Sequence, residues 1–189
     1  MDRRKPAPRA IREAAAERIA AVALGSNLGS RQQYLNLARR SIAARLGDVV
    51  CSSSIYETQP VGPSGQGKYL NQVVVIDTPR EPEELVELAL AIEKELGRKR
   101  GVRWGGRCID LDLLLHGSRV RSSDGLTLPH ARMHQRAFVL VPLAEVLPDW
   151  RHPLLDQTVC QMCAACGDGG VERWDCGRVP HGALTRTGA

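Results

Sequence analysis

Two aspartates inside an apolar stretch constrain this chain more than any other feature. Asp110 and Asp112 lie two residues apart between Ile109 and Leu115, and the other positions of that stretch are apolar. Its length and the glycines before it are typical of a buried strand, in which residues i and i+2 point to one face. Two carboxylates on one face repel each other and are costly to desolvate. A hard divalent cation removes both costs, so the pair predicts a magnesium site completed by substrate phosphates.

A cluster of basic residues precedes this strand and favours a polyphosphate ligand. The cluster comprises Arg98, Lys99, Arg100, Arg103 and Arg107. Two alternatives remain open at this point. One aspartate could cap a strand end or pair with an arginine, and the basic residues could form a solvated loop after a helix, where cations are mildly favourable.

Length and charge indicate one domain without a broad nucleic-acid surface. The chain has 189 residues and a net charge of +5, of which residues 1–18 supply +3 through six basic and three acidic side chains. No apolar stretch approaches the roughly 20 residues of a membrane span, and the N-terminus lacks the apolar core of a secretory signal. We expect a cytoplasmic monomer or weak dimer with no nucleic-acid or membrane partner. Residues 1–18 are expected to form a flexible extension, with a transit peptide as the alternative.

Four cysteines near the C-terminus have a spacing that permits more than one use. Cys160, Cys163 and Cys166 read C-x2-C-x2-C, and Cys176 follows ten residues later. This spacing can ligate zinc or an iron–sulfur cluster. The same residues also read as a short helix ending at Gly167, in which the thiols act as small buried apolar groups. Structural use, metal binding and a disulfide all remain open, although nothing indicates secretion.

Apolar runs and turn residues predict alternating strands and helices. Strands are expected over 19–24, 49–57, 69–76 and 109–115. One helix should follow Ser30 as its N-cap, and a second should begin at Pro82, because Pro suits a first helical turn. Their apolar stripes have helical spacing: Leu35, Ala38, Ile42 and Leu46, then Leu85, Leu88, Ala89, Ile92 and Leu96. The Pro- and Gly-rich segment 59–67 and the basic segment 97–107 are predicted loops.

The order β-α-β-β-α-β predicts an α+β fold. We expect a ferredoxin-like sandwich with helices covering one sheet face, an additional hairpin over 116–127 and a C-terminal helical segment around 135–146. The predicted domain spans 19–175, between the extension 1–18 and a tail at 176–189. The two long loops are expected to carry function.

Seven short motifs give the chain a resemblance to a known enzyme family. The motifs are Leu24-Gly-Ser-Asn-Leu-Gly29, Tyr56-Glu-Thr-Gln-Pro-Val-Gly-Pro63, Tyr69-Leu-Asn71, Gly97-Arg98, Arg103-Trp-Gly-Gly-Arg107, Ile109-Asp-Leu-Asp112 and Leu128-Pro-His130. Each alone is weak, but their order and spacing together are specific. From about residue 21 to about residue 174, the chain resembles the 6-hydroxymethyl-7,8-dihydropterin pyrophosphokinases of folate biosynthesis.

The resemblance implies a magnesium-dependent diphosphotransferase. Enzymes of this kind transfer the β,γ-pyrophosphoryl unit of ATP to the hydroxymethyl group of the pterin and release AMP. The implied cofactor is Mg²⁺, with two ions held by Asp110 and Asp112. Phosphoryl transfer depends mainly on positioning and charge neutralisation, which agrees with the charges found in this chain.

The resemblance also implies roles for individual residues. Arg98 and Arg107 match catalytic arginines of a mobile loop. The residues that match ATP contacts are Arg100, Arg103, Trp104, His130 and Arg136, together with Glu93, Leu113 and Thr127. The residues that match the pterin site are Thr58, Val61, Tyr69, Asn71 and Phe138. From the residues alone, Phe138 could instead belong to the core and His130 could be a surface histidine.

The chain departs from the family pattern at three positions that carry no required charge. Gly106 stands where Pro or a small residue is usual, Gln59 replaces a common Pro, and Ala131 replaces a frequent Tyr. Two other functions remain as alternatives. One is a nucleotidyl- or phosphotransferase with another acceptor. The other is a non-catalytic ferredoxin-like binding module with an iron–sulfur centre on the four C-terminal cysteines.

Overall fold

The computed structural model describes residues 16–60, 65, 67–98, 106–123 and 125–175. Most of the predicted extension, the predicted tail and Cys176 lie outside the described residues. So do four predicted site residues: Val61, Arg100, Arg103 and Trp104. No helix in the described part of the chain is long and apolar enough to cross a membrane.

The strands form one larger antiparallel sheet and a small hairpin. The strands of the sheet are β1 (Ile19–Ser26), β2 (Asp48–Ser52), β3 (Tyr56–Thr58), β4 (Tyr69–Asp77), β5 (Asp110–His116) and β8 (Glu172–Arg173). Five of them follow the order β5-β1-β4-β3-β8, and β2 also pairs with β4. The hairpin pairs β6 (Arg121–Ser123) with β7 (Leu126–Leu128), as predicted for 116–127.

Four α-helices cover both faces of the sheet. They are α1 (Arg31–Arg45), α2 (Pro82–Glu95), α3 (Ala137–Val146) and α4 (Val159–Cys166). The first two pack their predicted apolar stripes against one face. The second two pack against the other face through residues such as Leu140, Leu143 and Met162. The prediction that helices cover one face was therefore wrong, because α3 and α4 bury the apolar side chains of the second face as well.

The single strand predicted over 49–57 was also wrong, because it is interrupted between β2 and β3. At the interruption, side chains replace part of the regular ladder. The backbone N–H of Val73 donates to Oγ of Ser53 at 3.0 Å, and Nε2 of Gln72 donates to the Ser53 carbonyl at 2.8 Å. These bonds satisfy buried backbone groups that a continuous ladder would otherwise pair.

The predicted helix boundaries agree with the structure to within a few residues, except in the detail of one cap. Helix α1 begins directly after Ser30, but the Ser30 side chain makes no capping hydrogen bond. The predicted Gly97 turn is present. Gly97 has a φ of 89°, and its N–H donates to the Lys94 carbonyl at 3.1 Å, so it ends α2 in the left-handed region that favours glycine.

Candidate active site

The two aspartates lie on one face of β5. Leu111 and Leu113 alternate with them and are buried in the core beneath α1 and α2. Because side chains alternate along a strand, Asp110 and Asp112 point to the opposite face, where both are half-buried. This geometry agrees with the shared face expected from their two-residue spacing.

Both oxygens of Asp110 are paired with arginines. Nη1 of Arg98 lies 2.7 Å from Oδ1, and Nη1 of Arg107 lies 2.6 Å from Oδ2. Arg98 also pairs with Glu93, which is 3% exposed. Glu93 in turn accepts the backbone N–H of Leu111 at 2.7 Å. Helix α2, the end of the basic loop and the aspartate strand are thus joined by one network of charges.

Burial and a neighbouring negative charge act together on Asp112. Burial raises the pKa of this carboxyl, and the charge of Asp110 raises it further, while His130, Arg136 and Arg107 oppose the shift. Burial lowers the pKa of His130, against the opposing charge of Asp112. His130 and Arg136 therefore lie close enough to Asp112 to influence its charge. In the described part of the chain, Asp112 has no arginine or lysine within ion-pairing distance.

Gly25 provides open space between the aspartates and the predicted pterin residues. On β1 it pairs with Asp110 of β5 on one side and with Asn71 of β4 on the other. A Cβ at Gly25 would lie 3.5 Å from Oδ1 of Asn71, 3.8 Å from Cδ1 of Tyr69 and 3.9 Å from Cβ of Asp110. Three predicted site residues thus surround a position that has no side chain.

Hydrogen bonding fixes the orientation of Asn71. Its Nδ2 donates to Oγ1 of the buried Thr58 at 2.8 Å. The side-chain oxygen of Asn71, Oδ1, therefore faces the space above Gly25 as an acceptor. Tyr69 lies beside the charged network, because Arg107, Asp110 and Arg98 all influence its phenol, whose pKa is raised chiefly by burial.

The remaining predicted residues occupy different surroundings. Phe138 lies in the first turn of α3, packs partly against the second core, and has the Arg136 guanidinium 5.6 Å from its ring centroid. Leu113 is buried in the first core on the face opposite the aspartates. Thr127 is exposed on β7, and Nδ1 of His130 accepts the backbone N–H of Arg132 at 3.2 Å.

The turn between β1 and α1 and the first residue of α1 contact described residues at or beside the ends of both predicted loops, and the sequence pattern predicted none of these contacts. Oδ1 of Asn27 accepts the backbone N–H of Arg107 at 2.6 Å. Nη1 of Arg31 donates to Oε1 of Glu57 at 3.0 Å and to the Lys68 carbonyl at 2.8 Å, at the two ends of segment 59–67. The motif containing Asn27 was noted in the sequence, but its partners depend on long-range contacts.

The described cysteines form neither a disulfide nor a metal cluster. Among the described residues, Cys160, Cys163 and Cys166 form no disulfide and are half-buried, and the last two pack against the second core. Among the residues that the structure describes, no group of three or more His, Cys, Asp or Glu side chains could hold a metal ion without other ligands.

Comparisons with known proteins identify the family of the chain. The family model of 7,8-dihydro-6-hydroxymethylpterin-pyrophosphokinase (HPPK) matches residues 21–148. The chain is 49% identical over 129 residues to 2-amino-4-hydroxy-6-hydroxymethyldihydropteridine pyrophosphokinase of Bacillus subtilis, covering 68% of this chain and 77% of that protein. It is 43% identical over 151 residues to the protein of the same name from Methylorubrum extorquens, covering 79% and 94%.

Solved structures support the same fold. A crystal structure of HPPK-DHPS in complex with substrates superposes with a TM-score of 0.64 at 13% identity, covering 78% of this chain and 43% of that chain. The Plasmodium falciparum HPPK-DHPS structure with pteroate gives a TM-score of 0.63 at 14% identity, covering 78% and 42%. These structures share a mixed α/β fold with this chain, and the sequence matches show that the chain belongs to the HPPK family.

Proposed function

We propose that this protein transfers pyrophosphate from ATP to the hydroxymethyl group of 6-hydroxymethyl-7,8-dihydropterin. The products are AMP and the pterin diphosphate, and the pathway is folate biosynthesis. The observation that carries the proposal is the single sheet face that presents Asp110, Asp112 and the space above Gly25 together. Membership of the HPPK family supports the choice of reaction and substrates.

The donor set fits magnesium that is partly coordinated by substrate. The described residues provide two carboxylates and no third metal-binding side chain. Magnesium is commonly held by one or two carboxylates with substrate phosphates and water, whereas zinc and iron–sulfur sites use more protein ligands. We propose that Asp110 and Asp112 hold two Mg²⁺ ions with ATP. When bound, the ions would neutralise phosphate charge and lower the pKa of the attacking hydroxyl.

The arginines have a defined task in this reaction. The hydroxymethyl oxygen forms a bond to the β-phosphorus of ATP and releases its proton to solvent, the bond from that phosphorus to the α,β-bridging oxygen breaks, and AMP leaves. Arg98 and Arg107, which here pair with Asp110, would exchange that carboxylate for the transferred phosphates. An arginine supplied to a phosphoryl transition state can contribute roughly 10³–10⁵ in rate.

The pterin would lie flat above Gly25. The Asn71 oxygen can accept N–H groups on the edge of the ring, since its Nδ2 is bonded to Thr58. Tyr69 and Phe138 would provide aromatic contact, and Val61 is proposed to line the same pocket. Stacking on a flat heterocycle is worth about 1–3 kcal/mol per ring, by analogy with nucleobases.

ATP would extend from the aspartates toward the residues near Asp112. The influence of His130 and Arg136 on Asp112 supports their proposed contact with the triphosphate. Glu93 is proposed to act through Arg98, with which it pairs. Contacts of ATP with Arg100, Arg103, Trp104, Leu113 and Thr127 rest on the resemblance of the sequence motifs.

The remaining expectations concern the fold and the setting of the protein. The order β5-β1-β4-β3 and the helices α1 and α2 on one face support a ferredoxin-like arrangement extended by β8, α3 and α4. We further propose a cytoplasmic enzyme that acts as a monomer or weak dimer without nucleic acid. Residues 1–18 and 176–189 are proposed to lie outside the catalytic domain.

Product analysis tests the proposed function directly. ATP and the pterin alcohol are incubated with the protein, with and without Mg²⁺, and nucleotides are separated by chromatography. We expect AMP in equal amount to pterin diphosphate, and neither product when Mg²⁺ is removed. ADP as the nucleotide product would reject the proposal. ATP consumption with other alcohols but not with the pterin would instead favour a different transferase.

A further inference from the structure

Hydrogen bonds continue to join the chain segments beyond the last paired residues of β1 and β5, where the β1–α1 turn contacts the end of the basic loop. Regular pairing of β1 with β5 ends at Gly25 and Asp110. Beyond it, Oγ of Ser26 donates to the Cys108 carbonyl at 2.5 Å. Asn27 bonds Arg107 twice: its N–H donates to the Arg107 carbonyl at 3.0 Å, and its Oδ1 accepts the Arg107 N–H at 2.6 Å.

A third contact extends this pairing by one more residue. A Cβ at Gly106 would lie only 2.7 Å from Cγ of Leu28, so the Leu28 side chain packs directly on the Gly106 backbone. Three consecutive residues, 26–28, thus hold three consecutive residues, 106–108.

We propose that Asn27 is a positioning residue for the pyrophosphoryl transfer, acting through Arg107. This inference rests on the proposed function. Asn27 is 6% exposed, so its bonds to the Arg107 peptide are shielded from water. The ion pair of Arg107 with Asp110 involves a guanidinium side chain that is 43% exposed. Exposed pairs of this kind contribute little, so the backbone of Arg107 is held mainly by Asn27.

Loss of this contact is expected to affect turnover more than binding. A misplacement of about 1 Å in a catalytic group can cost about 10²-fold in rate. Asn27→Ala removes the Oδ1 acceptor and leaves the Arg107 N–H without this partner, while the backbone bond to the Arg107 carbonyl remains. We expect kcat to fall about 10- to 100-fold, while the Kd for ATP and Mg²⁺ changes less than about threefold.

The experiment combines amide hydrogen exchange with kinetics on the full chain. Exchange at the Arg107 amide reports the proposed contact without requiring activity. Asn27→Ala should accelerate it at least about tenfold, while the amides of the central strand β4 remain protected. Asn27→Asp retains an oxygen acceptor and should restore both protection of the Arg107 amide and most of kcat.

Thr78→Val is the matched control. Thr78 is buried and its Oγ1 donates to the Leu46 carbonyl at 2.6 Å, at the opposite end of β4 from Asn71. This variant loses a comparable buried hydrogen bond and should leave Arg107 exchange and kcat unchanged. If Asn27→Ala does not fold, Ser26→Ala tests the adjacent bond and should produce the same changes to a smaller degree.

The outcomes separate this inference from the proposed function. A wild-type protein that forms no AMP would overturn the proposed function and the catalytic meaning of Asn27. In an active enzyme, an unchanged Arg107 amide or an unchanged kcat in Asn27→Ala would overturn the inference alone. A uniform loss of protection across β4 would also overturn it, because Asn27 would then act on overall stability. Faster exchange confined to residues 106–108 with reduced kcat would support it.

Discussion

Asp110 and Asp112 occupy different electrostatic surroundings although they belong to the same strand face. Asp110 is neutralised by two arginines, whereas burial and the charge of Asp110 raise the pKa of Asp112. The alternative that one aspartate pairs with an arginine is therefore correct for Asp110. Among the described residues Asp112 has no ion pair with an arginine or lysine, which makes it the more informative residue to change.

Asp112→Asn should strongly reduce turnover without weakening the fold. The substitution preserves shape but removes a charge that is costly to bury beside Asp110. We expect kcat to fall by about 10²–10³-fold or more, the scale of losing one electrostatic contact to a transition state. The free energy of unfolding without ligands should stay constant or rise, measured by urea denaturation.

Asp48→Asn is the control for this prediction. Asp48 is exposed on β2. In the strand register it lies opposite Asp77, at the other end of β4 from Asn71. It should retain wild-type turnover. Full activity of Asp112→Asn at millimolar Mg²⁺ would count against the proposed site.

Gly25→Ala should block the pterin while sparing ATP. The added methyl group would make only ordinary contacts with Asn71, Tyr69 and Asp110, so the fold should tolerate it. It would, however, occupy the space proposed for the pterin ring. An overpacking cost of about 1–3 kcal/mol corresponds to a roughly 5- to 150-fold rise in the pterin Kd. Calorimetric titration with each substrate would show this, and unchanged pterin binding would contradict the proposed position of the ring.

The residue types at this site could be predicted from sequence, but several of their partners could not. The two-residue spacing of the aspartates gave their common face, because that depends only on strand geometry. The Asn27 contact with Arg107 joins positions 80 residues apart. The contact of Glu93 with the Leu111 amide likewise requires α2 to lie across β5. The pattern of residues within one strand or helix does not indicate which distant part of the chain will contact it.

At the scale of elements, local patterns located the helices better than the strands. The stripes of α1 and α2 follow the helical period and end at glycines, so their positions agree with the prediction. The interruption between β2 and β3 was missed because Ser53 bonds to the neighbouring strand through its side chain. Nothing in the sequence of β2 and β3 alone indicates that partner.

Helix α3 is joined to this interruption by one carboxylate. Glu145 accepts hydrogen bonds from the Ser54 N–H at 2.7 Å, the Ser54 hydroxyl at 2.8 Å and the Tyr56 hydroxyl at 3.0 Å. Tyr56 is the cross-strand partner of Asn71. Glu145 therefore connects α3, the helix that contains Phe138, to the strand beside the proposed pterin site.

Glu145→Gln should loosen this connection and lower the pKa of Tyr56. Burial is the main cause that raises this pKa to about 12, and the charge and hydrogen bond of Glu145 raise it further. Without that charge, the phenol should titrate closer to its ordinary value of about 10. We expect a stability loss of about 1 kcal/mol, since the carboxylate is exposed.

Spectrophotometric titration of tyrosinate in wild type and Glu145→Gln measures the shift, and Tyr56→Phe assigns it. The raised pKa also means that the contribution of Tyr56 to stability is complete below about pH 10. It should be lost as pH rises through about 12. A Tyr56 titration that does not respond to Glu145→Gln would show that the hydrogen bond is absent in solution.

At the scale of the whole molecule, the sheet order and the second helical layer lay beyond sequence reasoning. The order of elements predicted an α+β fold, but pairing of β5 with β1 joins strands separated by most of the domain. The layer formed by α3 and α4 buries the second sheet face, including Val73 and Val75 of the central strand. The apolar run of that strand over residues 73–76 is consistent with burial on both faces.

Acid stability of the whole fold should depend on His116, at the end of β5 away from the aspartates. His116 is 1% exposed, and burial lowers its pKa, with Arg119 and Arg121 acting in the same direction and Glu81 opposing them. The unfolded chain takes up a proton near the ordinary value of about 6.5. The folded chain does so only at lower pH, so its stability is complete above about pH 6.5 and is lost as pH falls through the folded value.

Replacing His116 by Gln should therefore flatten the acid side of the stability profile. The free energy of unfolding, measured by urea denaturation between about pH 7.5 and 5, should fall more steeply in wild type than in the variant. The comparison concerns slopes, so a constant loss of stability from placing an amide at this buried position does not affect it. His130 and His152, whose pKa values are also lowered by burial, are present in both proteins and contribute equally. Parallel profiles would show that His116 is protonated alike in the folded and unfolded chains, which its burial and the neighbouring charge of Arg119 argue against.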